Sequence, residues 1–107
     1  MAATFYNISE AEMTAFLTEK GFVQISVPRT REMVFAKRVD SEGKMLSLRV
    51  FTGIVAGQSR GVGDDAIRVV LMQRDFQGKI YARGGTKRVN RVKNWKNNLT
   101  LRLKEFA

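Results

Sequence analysis

The chain has 107 residues, 44% apolar and 27% charged, with a net charge of +9 and neither cysteine nor histidine. These are the proportions of one globular domain, residues 1–107, and they exclude a disulfide framework and thiolate or imidazole chemistry. No apolar run nears the roughly 20 residues that span a bilayer. The opening "MAATFYNISEAEM" lacks the basic and apolar parts of a secretion signal. The expectation is a cytoplasmic protein without membrane contact.

The first predicted element is a helix over "ISEAEMTAFLTEKG". Ser9 caps the first amides and Glu12 follows at capping-box spacing. Ile8 and Met13 form a hydrophobic staple, and Gly21 supplies the stop. Met13, Phe16 and Leu17 share one face. Strands follow. "FVQISV" (22–27) runs up to the only proline, and "EMVFAKRV" (32–39) ends at the turn "DSEGK". In "MLSLRVFTGI" (45–54), Leu46, Leu48, Val50, Thr52 and Ile54 alternate with Ser47, Arg49 and Phe51. In "AIRVVLMQR" (66–74), Ile67, Val69 and Leu71 alternate with Arg68, Met72 and Arg74. "DFQG" turns the chain into "KIYARGG" (79–85), where Ile80 and Ala82 are expected inside and Lys79, Tyr81 and Arg83 outside. "NRVKNWKNNLTLRLKEF" predicts a closing helix with Val92, Trp95, Leu99, Leu103 and Phe106 on one stripe and Leu101 opposite. The fold class is α+β: about five antiparallel strands, with an N-terminal and a C-terminal helix on one face.

Candidate chemistry is sparse. The loop Gly53–Arg68 holds four glycines, and "GVGDDA" (61–66) fits a relaxed dinucleotide pattern. A strand pattern follows it, however, where that fingerprint requires a helix. Among the acids, only the pair Asp64 and Asp65 lies in an unusual setting, this glycine-rich loop. Adjacent strand residues point to opposite faces, so a magnesium-dependent nuclease is the weakest reading. The loop's part Gly53–Asp65 is expected to be the most mobile segment, with Arg60 near the tip. No cofactor, metal site or enzymatic activity is expected.

The charge is uneven. Residues 1–75 carry ten Lys/Arg against nine Asp/Glu, and residues 76–107 carry nine against Glu105 alone. "RGGTKRVNRVKNWK" (83–96) contains no acid. Lys87, Arg88, Arg91 and Lys93 fall before or within the first turn of the expected helix, where the dipole disfavours cations and an incoming phosphate would be welcome. Phosphate contacts are therefore assigned to Lys87, Arg88, Arg91, Lys93 and Lys96. Arg49, Arg68, Lys79, Arg83 and Arg60 extend the track, and Phe51 and Tyr81 are stacking candidates. The expected function is a basic nucleic-acid-binding protein with little sequence specificity, favouring single-stranded DNA or RNA over duplex. The alternative is an adaptor or inhibitor docking on an acidic protein. Leu101 and the outer sheet face are where a second copy would bind.

Overall fold

Local sequence explains where the first helix starts. In the computed structural model, α1 spans Glu10–Glu19. The Glu12 amide donates to Ser9 Oγ at 3.0 Å, which satisfies one of the free amides that open a helix. Ile8 and Met13 are both fully buried, as the staple requires. Gly21 ends the turn with φ of 92°, a left-handed conformation that suits glycine. The structure describes residues 6, 8–25, 32–39, 46–54, 66–75 and 77–106.

The strands are β1 (Val23–Gln24), β2 (Val34–Arg38), β3 (Leu46–Phe51), β4 (Ile67–Arg74), β5 (Ile80–Ala82) and β6 (Lys87–Val89), followed by α2 (Trp95–Lys104). They form one antiparallel sheet in the order β1-β2-β3-β4, with β5 and β6 both paired to β4. Ala82 lies opposite Met72 and Lys87 opposite Val69. Residues 83–86 therefore span a stretch that Val70 and Leu71 alone span on β4. β5 and β6 are two halves of one edge strand broken by a bulge. Gly84, at φ of 81°, supplies its left-handed residue. The α+β architecture is as expected. The differences are the extra piece β6, where the sequence reads as loop and helix, and an α2 that starts only at Trp95.

One face of the sheet makes the core. Phe35, Leu48, Val50, Ile67, Val69 and Val89 pack there against Ile8, Met13 and Leu17 on the α1 side and Trp95 and Leu99 on α2. Trp95 is 1% exposed and meets Phe16 edge-on, with ring centroids 5.1 Å apart. Both helices therefore cover the same face, and their ring contact joins them. Trp95→Ala is expected to cost about 3–5 kcal/mol. Urea unfolding followed by circular dichroism measures this, and the parent's emission should be blue-shifted and resist iodide quenching.

Candidate functional site

Among the described residues, no helix lies over the second face of the sheet. Directly paired residues share a face, so the register fixes what that face displays. One row runs Val34, Phe51, Arg68, Arg88. The next runs Val23, Ala36, Arg49, Val70, and a third runs Arg38, Ser47, Met72, Ala82. Arg74 and Ile80 close the array. Five arginines (38, 49, 68, 74 and 88) thus alternate with apolar side chains on one surface. Period-two alternation on β3 and β4 produces this, as the sequence predicts for Arg49, Phe51 and Arg68.

Part of this face is built around Glu32. One of its oxygens accepts from the Gly53 amide at 2.8 Å, and the other accepts from the Arg68 guanidinium. Held there, Arg68 lies over the Phe51 ring, 5.2 Å from its centroid. Gly53 has φ of 71°, which turns its amide toward the carboxylate at the end of β3. Arg49, Arg38 and Arg74 line a cavity of about 290 Å³ together with Ser47, Met72 and Ile80. The Nε of Arg49 is buried with no hydrogen-bond partner among the described residues.

Two expected members lie elsewhere. Tyr81 pairs with Gln73, and Gln73 pairs with Leu46 of the core-facing set. Tyr81 therefore projects from the helix-bearing face, away from Phe51. Arg83 reaches the same Gln73, with Nη1 3.4 Å from Oε1. It is Ile80, 39% exposed, that occupies the arginine face. Lys79 sits in the β4–β5 turn, where its amide donates to Asp75 Oδ1 at 2.9 Å.

The basic run is divided. Arg88 faces outward opposite Arg68, whereas Lys87 lies opposite Val69 on the other face; both are exposed. Lys93 is exposed in the turn before α2, and Lys96 on α2 pairs with Glu12 at 3.7 Å. Since Lys87 and Arg88 are strand residues, the helix dipole does not act on them as the sequence pattern suggests. Arg91 is corrected outright: it is 2% exposed and cannot meet a phosphate at the surface. Its guanidinium donates to the carbonyls of Gly53 at 3.4 Å and Ile8 at 3.5 Å. Arg60, Asp64 and Asp65, with the rest of 55–65, lie outside the described residues. Leu101 is 54% exposed.

Sequence reasoning places Arg74 outward without assigning it a role, and it misses Arg38 and Glu32. The alternation Val34, Ala36, Arg38 against Phe35 carries a signal for Arg38. Nothing local marks Glu32, whose partners are far along the chain. Comparison with protein-family models, curated proteins and solved structures finds no match. Among the described residues no helix is long and apolar enough to cross a membrane.

The burial of Arg91 has a measurable consequence. Arg91→Ala strips donors from two buried carbonyls and is expected to cost roughly 2–3 kcal/mol. Lys93→Gln, in an exposed turn, should stay within about 0.5 kcal/mol of the parent. Urea midpoints of the two variants check this difference.

Proposed function

We propose that this chain binds single-stranded nucleic acid across the arginine-bearing sheet face, mainly through phosphates and with little base specificity. The observation that carries the reading is the set of five arginines sharing, with Phe51, Val70 and Met72, a face over which no helix lies among the described residues. Guanidinium groups follow a phosphate backbone, while rings and guanidinium planes stack on unpaired bases. A duplex hides its bases and offers such a platform only phosphates, which favours the single strand. Arg68, fixed over Phe51 by Glu32, is a preformed stacking element that a base can meet without ordering a free side chain. Lys79, Arg83 and Lys87, exposed along the broken edge strand, extend the positive field beyond β4. Lys93 and Lys96 lie farther off and contribute to that field rather than to direct contacts.

A second reading, protein docking, rests on Leu101. It lines a cleft of about 420 Å³ with Val92 and Arg102 between α2 and β6. Arg88 lines the same cleft, so an acidic protein partner there would meet Arg88 and leave Arg49, Arg68 and Arg74 uncovered.

A salt titration separates the two. For a single strand, each phosphate that the protein ceases to neutralise should lower the slope of log affinity against log salt by about 0.7. The triple variant Arg49→Gln, Arg68→Gln, Arg88→Gln should therefore bind an oligonucleotide more weakly and with a slope reduced by about 2. Leu101→Ser should change neither quantity. A triple variant that keeps the parent's affinity and slope would remove the sheet face from nucleic-acid binding.

A further inference from the structure

The arginine face is not uniform. In the row Phe51, Arg68, Arg88, the charge of Arg68 is partly neutralised by Glu32. The second part is concave, the cavity of about 290 Å³ lined by Arg38, Arg49 and Arg74 with Ser47, Met72 and Ile80. None of the described residues that line it is acidic. Arg38 already interacts within the chain, so Arg49 and Arg74 carry the argument.

We infer that this cavity receives the terminal phosphate of a single strand, a deepening that rests on the sheet face being the nucleic-acid surface. The reason is a mismatch of charge. A space of this size takes about one nucleotide, and an internal phosphodiester brings a single negative charge. Arg49 and Arg74 alone already exceed that need. A terminal phosphomonoester carries about −1.5 to −2 at neutral pH and three acceptor oxygens, which suits several planar donors at once. Met72 and Ile80 give the attached sugar and base an apolar floor, and the Ser47 hydroxyl offers a further donor. The strand would then run from its anchored end toward Arg68 and Phe51.

The ligand comparison uses the parent chain. Three otherwise identical ten-residue oligonucleotides compete for binding: one with a 5′-phosphate, one with a 3′-phosphate and one with both ends as hydroxyls. One phosphorylated form should bind about tenfold tighter than the hydroxyl form, the worth of one added charge-assisted contact. The preference should shrink as pH falls from about 8 to 5.5, because the phosphomonoester dianion takes up a proton near pH 6 and becomes a monoanion. The chain has no histidine, so no side chain with an ordinary pKa in that window confuses the result. In Arg49→Gln, Arg74→Gln the hydroxyl form should bind more weakly, through Arg68 and Arg88, and the phosphorylated form should bind no tighter than it; blue-shifted Trp95 emission verifies folding. Equal binding of all three strands overturns the inference and leaves the sheet-face reading intact. So does a preference that survives in the double variant. Failure of every strand to bind overturns both.

Discussion

A buried guanidinium holds this fold together. Arg91 lies between the end of the third strand, at Gly53, and the entrance to the first helix, at Ile8. Its own carbonyl accepts from the Tyr6 amide at 2.8 Å. One residue thus joins the N-terminal segment, the sheet and the chain leading into α2. A planar cation with five donors can meet several carbonyls in different directions, which no apolar residue could do. The cost is desolvation of a charge, tolerable only where carbonyl oxygens surround it. Because Gly53 also gives its amide to Glu32, the same backbone turn that meets Arg91 inside positions Arg68 outside. Core and surface meet at a single glycine.

That coupling shows how a small sheet can carry so many like charges on one side. Arginines in neighbouring rows repel one another, and the apolar packing on the opposite face must outweigh this. Phe35, Val50, Ile67 and Val69 on the sheet, with Trp95 and Leu99 on α2, provide the burial. On the outer side Glu32 offsets part of the charge, and Val70 and Met72 stand between the arginines on β4. Separating stability from display in this way is natural for an antiparallel sheet covered on one face.

Much of this could be read from the residues. Ser9, Glu12, Ile8 and Met13 announce α1, and the alternation in β3 and β4 gives the sidedness of Arg49, Phe51 and Arg68. The edge strand could not be read in that way. Ile80 and Tyr81 are both exposed, 39% and 42%, so apolar alternation there says nothing about which side faces the core. The side is set instead by the register of the Asp75–Gly78 turn. β6 is three residues long and too short for a periodic signal. Arg91 sits in a run of surface cations and has the same local character as its neighbours; only distant carbonyls distinguish it. Charge locates a region on such a chain, and tertiary hydrogen bonding decides which members of it are interior.

The broken edge strand has a consequence for self-association. An uninterrupted edge presents a row of unpaired amides and carbonyls on which another chain can grow a ribbon. Here the row is cut at residues 83–86, where Gly84 is left-handed, and Lys79, Arg83, Lys87 and Arg88 stand exposed along it. A strand arriving at this side finds no straight template and four positive charges. The opposite edge, β1, is two residues long, with Val23 66% and Ile25 43% exposed at its end. The molecule is thus polarised with respect to sheet growth, guarded by charge on one edge and by brevity on the other.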